Sequence, residues 1–202
     1  LGCESAAAEP FIPHLLFSDN RYELCYDIGE AIPLYAYLFH EYVRNFMGNQ
    51  VSCPFSHEEL TLPYRLAYSF AAGDAMTLVM TPDGQLMTNW GDHDFTNLPD
   101  YDTVIDFVGK LQLFYREKAH NWLFDGNMIE PLPVFCDKVV FHHRNGRPIP
   151  VDAVVSTAWE KDGQKAQIFL NHTAAVQSVR FRRDGKETVL SLEPYSAELT
   201  LL

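Results

Sequence analysis

The sequence has no apolar stretch long enough to cross a bilayer, which takes about 20 consecutive apolar residues. Basic residues are also scarce: 15 Lys and Arg stand against 27 Asp and Glu, a net charge of −12 over 202 residues. This balance argues against binding of a phosphate backbone, for which a basic face is expected. The two shortages predict a protein whose partners include neither a membrane nor a nucleic acid.

Motifs for metal, redox and nucleotide chemistry are missing as well. Neither a G-x-G-x-x-G pattern nor a Walker-type glycine loop occurs, which disfavours nucleotide binding. Asn171-His172-Thr173 matches an N-glycosylation sequon, a match that is common by chance. The four cysteines are widely spaced and form no Cys-x-x-Cys pair: Cys3, Cys25, Cys53 and Cys136. We therefore expect free thiols and a function without cofactor or metal.

The sequence begins Leu1-Gly2-Cys3-Glu4, with neither an initiator Met nor the basic start of a signal peptide. From such a start we expect either a processed chain or the tail of a longer one. Any export signal would then lie upstream. The compartment stays open, with an extracellular or periplasmic location slightly favoured.

Apolar residues make up 47% of the sequence, enough for a buried core. The composition also changes sharply along the chain. Residues 1–130 hold 6 Lys and Arg, 19 Asp and Glu, and 21 of the 27 aromatic residues. Residues 131–202 hold 9 basic and 8 acidic residues. The change falls at Pro131-Leu132-Pro133, which predicts two structural units, 1–130 and 131–202.

The second unit has the pattern of antiparallel β-structure. Asp162-Gly163 and Asp184-Gly185 are typical of tight hairpin turns. Val, Phe and Ile alternate with polar residues around these turns, as in half-buried strands. About six short strands are predicted, the number expected of a small sandwich: 138–141, 151–159, 165–170, 176–182, 187–192 and 196–202.

The first unit is predicted to be mainly helical, with helices over 28–46, 56–70 and 103–124 and a short strand over 76–80. Pro33 suits the first turn of the first helix. Ser56 to Glu59 fits a capping box for the second, although Pro63 indicates a kink or a later start, and Gly73 suits its end. Helices alternating with short strands indicate α/β units. The helices are apolar around much of their circumference, so this unit looks like part of a larger α/β layer.

Several segments together resemble the end of a known architecture. VDAVVSTAW (151–159), IFLNHT (168–173) and LEPYSA (192–197) are similar to the C-terminal β-sandwich of some bacterial TIM-barrel glycoside hydrolases. Upstream, IPLY (32–35), HEY (40–42) and LFDGNM (123–128) resemble the final helical turns of such barrels.

The resemblance implies a fold of two classes. Residues 1–130 would be the last βα units of a (β/α)₈ barrel, and residues 131–202 an antiparallel β-sandwich. A complete barrel takes about 250 residues. The missing N-terminal part of the barrel would therefore be a partner of this chain, and the other partner a carbohydrate substrate.

Glycoside hydrolysis uses two carboxyl groups, about 5–5.5 Å apart for retention or about 6.5–9.5 Å for inversion. In barrels such groups follow the carboxyl ends of strands. The resemblance favours Glu4 as one of them, with Glu9 on the succeeding loop as a second choice. The alternative is that both are ordinary loop acids. The partner carboxylate would lie in the missing half of the barrel.

Trp90-Gly91-Asp92-His93-Asp94 is a candidate sugar-binding loop. Trp90 would stack on a sugar ring, and Asn89, Asp92 and His93 would bind hydroxyl groups. The main alternative is a plain solvated loop with one anchoring Trp. Metal ligation is the weakest of the three, since adjacent residues seldom all point at one ion. His14 either lines a sugar subsite or fills the core.

Two functions therefore follow from the sequence. The first is the C-terminal portion of a glycoside hydrolase that works with paired carboxylates and no cofactor. The second is a non-catalytic carbohydrate-binding or structural β-sandwich module. A shared cleft for Glu4, Glu9 and Trp90 would favour the enzyme.

Overall fold

The computed structural model describes residues 2–3, 9–19, 32–46, 61–77, 80–84, 101–142 and 146–202. Its first part holds three short strands, β1 Gly2–Cys3, β2 Phe17–Asp19 and β3 Arg44–Phe46. They are parallel and lie side by side in chain order, and Phe46 makes a further parallel bridge to Ala75. Parallel neighbours need long crossover connections. Helical segments accordingly alternate with these strands.

The described residues include a 3-10 helix and four α-helices: Glu9–His14, α1 Leu34–Phe39, α2 Thr61–Ala71, α3 Tyr101–Phe114 and α4 His120–Leu123. A π-helical turn, Tyr115–Ala119, joins α3 to α4. This continuous segment confirms the helix predicted over 103–124. No helix in the ranges given above is long and apolar enough to span a membrane.

The helix predicted over 28–46 is wrong in its second half. Helix α1 is short, a turn follows it, and the chain then enters β3. Aromatic residues at helical spacing suggested a longer helix, but backbone pairing of β3 with β2 overrides that local pattern. Pro33 does stand immediately before α1. Residues 28–31 and the capping box at 56–59 lie outside the described residues.

Helix α2 is followed by a glycine that the packing requires. Gly73 has a φ of +84°, in the left-handed region that favours glycine. A Cβ at this position would lie 2.5 Å from His40 Nε2 and 2.9 Å from the Trp159 ring. The helix end predicted at Gly73 is therefore confirmed. The same glycine lets the backbone pass close to Trp159 of the sandwich.

The second part of the chain is antiparallel β-structure. Its strands are β4 Asn127–Ile129, β5 Val134–Phe135, β6 Lys138–His142, β7 Pro148–Asp152, β8 Val154–Lys161, β9 Gln164–Asn171, β10 Gln177–Arg183, β11 Lys186–Leu192 and β12 Ser196–Leu201. The sheet orders are β12-β9-β8-β4, β11-β10-β5 and β6-β7. The six predicted strands are present, and the one predicted over 151–159 is divided between β7 and β8.

Asp-Gly pairs close two of the hairpins, as predicted. Asp162 and Gly163 join β8 to β9, and Asp184 and Gly185 join β10 to β11. All four residues have positive φ, which type I′ turns require.

The four-stranded sheet is covered on both faces. Phe169 on one face packs with Val179 and Phe181 of the three-stranded sheet. Ile168 and Leu170 on the other face join a core with residues of α2, α3 and α4. Strand β9 is consequently buried along six consecutive residues, 166–171.

The chain is thus a β-rich mixture of helices and antiparallel sheets, which agrees with the coarse fold class expected from the sequence. Strand β4 precedes Pro131 but pairs with β8, so the segments on either side of residue 130 share a sheet. Of the strand predicted over 76–80, residues 78 and 79 lie outside the described part.

Candidate functional site

The parallel strands end at one edge of their sheet, and Glu4 is the residue that follows the end of β1 in the sequence. Strand β1 ends at Cys3, which pairs with Ser18, and the next residue of β2, Asp19, pairs with Phe46. The three carboxyl ends therefore lie within one residue of each other along the sheet. Glu4 follows Cys3 directly in the sequence. In parallel α/β sheets this is the edge where ligands bind.

The other predicted site residues are only partly within the described ranges. Glu4, Trp90, Asp92 and His93 lie outside them. Glu9 begins the 3-10 helix that separates β1 from β2, and His14 ends it. His14 is exposed, so it does not fill the core. Its role in a sugar subsite stays a prediction.

A cavity of about 180 Å³ lies beside strand β3. Arg44 and Asn45, the first residues of β3, line it from the sheet. Asp74 and Met76 line it from the segment that bridges to β3. The helical wall comes from Phe70, Gln112, Tyr115, Leu123 and Phe124. Sequence reasoning missed this cavity because no local motif links residues that lie so far apart.

Arg44 is held at the rim of this cavity by three contacts. Its guanidinium lies 4.0 Å from the centre of the Phe124 ring, and Nη1 donates to the Phe124 carbonyl oxygen. Nη2 lies 3.7 Å from Asp125 Oδ1. Burial raises the pKa of Tyr115, which Arg44 partly opposes. The phenol next to Arg44 is therefore protonated at neutral pH.

Asn45 and Asp74 give the cavity its buried polar side, with exposed fractions of 2% and 4%. The Ala75 amide donates to the Asn45 carbonyl oxygen at 2.9 Å, and the Asp74 amide donates to Ser69 at 3.0 Å. A lining with one carboxylate, two amides and one guanidinium can bind a small polar molecule. It does not contain the carboxyl pair that glycoside hydrolysis uses.

His40 lies buried behind the cavity, and its ring meets the Trp159 ring edge-on at 4.8 Å. Burial lowers the pKa of His40, and the charge of Arg44 lowers it further. The histidine is therefore neutral at pH 7 and joins the turn after α1 to the four-stranded sheet. The neighbouring Glu41 is exposed.

A second buried histidine, His172, sits where β9 ends. Its Nε2 lies 2.8 Å from the Asp152 carbonyl oxygen, and its ring packs 5.0 Å from that of Tyr64. Burial lowers the pKa of His172 to about 4, so the ring is neutral at pH 7. Since a carbonyl only accepts, Nε2 carries the proton in this contact.

Asn171 of the predicted sequon is part of the same buried corner. Its Nδ2 donates to the Ala175 carbonyl at 2.7 Å and to the Glu193 carbonyl at 2.9 Å. Its Oδ1 accepts from the Thr173 amide at 2.9 Å. A fully buried amide with these contacts is a structural tie between two turns, and the folded protein offers no access for a glycan.

Within the described ranges, no group of three His, Cys, Asp or Glu side chains could hold a metal ion. Asp92 and His93, the weaker metal candidates, lie outside those ranges. Cys136 is a half-buried free thiol whose pKa is raised, chiefly by burial. A raised pKa disfavours the thiolate, so Cys136 is not an activated nucleophile.

No protein-family model matches the chain, nor does any curated protein or solved structure.

Proposed function

We propose that this chain is the C-terminal portion of a TIM-barrel glycoside hydrolase in which Glu4 is one of two catalytic carboxyl groups. The supporting observation is the order of the parallel segments. Among the described residues, strands β1, β2 and β3 and the bridge at Ala75 follow one another along the chain and are neighbours in space. Helical segments lie between them, an order that the repeating βα units of a barrel would also have.

The position of Glu4 after β1 fits this assignment. Barrel enzymes place catalytic groups at the carboxyl ends of strands, and Glu4 follows the first such end in the chain. Glu9 is the second choice, and it begins the helix that follows the same strand.

The chemistry needs a proton donor and a carboxylate on opposite sides of a glycosidic bond. The acid protonates the leaving oxygen as the bond to the anomeric carbon breaks, and water supplies the new hydroxyl group. One of the two groups would be Glu4, and the other would come from the N-terminal part of the barrel. Trp90, Asp92, His93 and His14 would contact the sugar. No cofactor enters this reaction.

The contact between sandwich and helices favours a second candidate, a non-catalytic carbohydrate-binding or structural module. Thr157 Oγ1 of β8 donates to the Ala71 carbonyl of α2 at 2.7 Å. The Trp159 indole donates to the same hydroxyl group at 3.0 Å. Both bonds are buried, so the sandwich braces the helical layer whether or not the protein is catalytic.

The test is the hydrolysis of a panel of aryl glycosides by the whole protein that contains this chain. We expect Glu4→Gln to lower kcat by at least about 100-fold, because an amide neither donates the proton nor attacks. Glu41→Gln is the matched control, since Glu41 is exposed after α1. Its kcat should equal that of the wild type.

Full activity of the Glu4→Gln variant would reject the assignment of Glu4. A wild-type protein that binds glycans but cleaves none of the panel would favour the non-catalytic module. Thermal unfolding of both variants distinguishes lost chemistry from lost folding.

A further inference from the structure

One face of the three-stranded sheet β11-β10-β5 is open to solvent and carries an ordered row of side chains. Arg180 pairs with Val189 on one side and with Phe135 on the other, so the three residues form a row across the sheet. Phe135 is 62% exposed and Val189 is 61% exposed. The other face of β10 fills the core between the sheets.

Two further rows flank this one on the same face. Ser178 pairs with Ser191, and Arg182 pairs with Glu187. All four residues are exposed. Because side chains of one face recur every second residue, adjacent rows are about 7 Å apart. The open face therefore presents a row of hydroxyl groups, a row with an aromatic and a cationic group, and a row in which the second cation, Arg182, stands opposite the carboxylate of Glu187.

The charge of this face differs from that of the chain. The β10–β11 hairpin has four basic residues and two acidic ones, in a chain of net charge −12. Arg180 and Arg182 make no ion pair with the part of the chain that the structure describes, although Glu187 stands opposite Arg182. A guanidinium group that makes no ion pair can bind a carboxylate through two parallel, bidentate hydrogen bonds.

We propose that this open face binds an acidic polysaccharide, with Arg180 and Arg182 on its carboxylates and Phe135 against a sugar ring. The two arginines select an anionic ligand. The exposed aromatic ring and the serine hydroxyl groups select one built of sugar rings over an acidic peptide or a second copy. The choice of a polysaccharide as the ligand rests on the proposed function. Binding of an anionic ligand by this face does not require that Glu4 be catalytic.

The experiment measures binding of the protein to polygalacturonate and, as the matched uncharged ligand, to its methyl-esterified form. We expect the acidic polymer to bind at least tenfold more tightly, and the double variant Arg180→Gln/Arg182→Gln to lose about tenfold or more, as loss of charge-assisted hydrogen bonds implies. Phe135→Ala should weaken binding by about fivefold.

Arg116→Gln is the control, because Arg116 is an exposed arginine on the π-helical turn, away from this sheet. Its affinity should equal that of the wild type. Raising the salt concentration should weaken wild-type binding and leave the double variant nearly unaffected. Since the substituted residues are exposed, thermal unfolding should be unchanged.

Equal affinity for the two polymers, wild-type affinity in the double variant, or no binding would overturn the proposal. So would self-association of the wild type that the double variant loses in sedimentation, since that makes a second copy the occupant. Hydrolysis is assayed separately, and Glu4→Gln should abolish it without changing this affinity. The two proposals can therefore fail independently.

Discussion

The two parts of the chain differ in how far apart in the sequence their paired strands are. In the second part, β8 pairs with β9 and β10 with β11 across two-residue turns. In the first part, Cys3 pairs with Ser18 and Ser18 with Asn45, across whole helical connections. Local turn chemistry therefore specifies the hairpins, whereas the parallel strands depend on packing of the entire chain.

The two parts nevertheless meet in one core. Trp159, on the sandwich sheet, has no exposed surface and contacts His40 from the turn after α1. Residues of α2, α3 and α4 belong to the same apolar cluster. The helices of the first part are thus stabilised by the same core as the four-stranded sheet, although the strands of the two parts are paired differently.

Trp159→Ala should have the largest effect, because it removes the side chain that both parts share. We expect a loss of about 4 kcal/mol in the free energy of unfolding, as for other buried aromatic residues changed to alanine. Urea unfolding measures the loss. Phe135→Ala, on the open face, is the control and should change stability by less than about 0.5 kcal/mol. Similar losses in the two variants would mean that Trp159 is not central.

Gly73→Ala should have the next largest effect, because the change adds both backbone strain and a clash. The positive φ costs about 1 kcal/mol, and the approach of the new Cβ to His40 and Trp159 adds about 2 kcal/mol. Gly84 has nearly the same φ, +83°, and nothing lies within 4 Å of the Cβ position. Gly84→Ala should therefore lose only about 1 kcal/mol, and equal losses would remove the clash from the explanation.

Lowering the pH should change the free energy of unfolding by less than the two substitutions above. We expect most of this change to come from His172, in the sandwich. Folding lowers the pKa of His172 from 6.5 to about 4. Between these pH values the unfolded chain binds more protons, so stability falls as the pH is lowered through this window. From pH 7 to pH 5 we expect His172 to account for a loss of about 2 kcal/mol.

His172→Gln should make the dependence of the urea midpoint on pH shallower over this window. Some slope should remain, because burial lowers the pKa of His40 in the same direction. The control His14→Gln changes an exposed histidine and should preserve the wild-type slope. An unchanged slope in the His172 variant would place the pH sensitivity elsewhere.

The sequence predicted the sandwich well because its signals are local. Asp162-Gly163 and Asp184-Gly185 locate the hairpins, and alternation of apolar residues locates the strands beside them. The long helical segment from 101 to 123 is equally local, with buried residues such as Phe107 and Leu111 four apart. Strand β3 was missed because Phe46 and its neighbours have helical spacing, and only their pairing with β2 makes them a strand.

The candidate sites also differ in whether the sequence could predict them. Glu4 was selected by resemblance, and the structure adds that a strand precedes it. The cavity lined by Arg44 and Asp74 had no signal in the sequence, since its lining comes from β3, the segment that bridges to it and distant helices. The sequence did not predict that Asn171 and His172 are buried. An Asn in a sequon or a His occurs both on surfaces and in cores, so the residue type alone does not tell which.

The double burial of β9 limits how the sandwich can be transplanted. A fusion protein that carried residues 131–202 alone would expose Trp159, Ile168 and Leu170, which the helices cover here. It would also lose β4 from the edge of the sheet, leaving β8 open to pairing with other chains. A portable version needs the helical segment that begins at Tyr101, and α2 as well, before it can be attached to another protein.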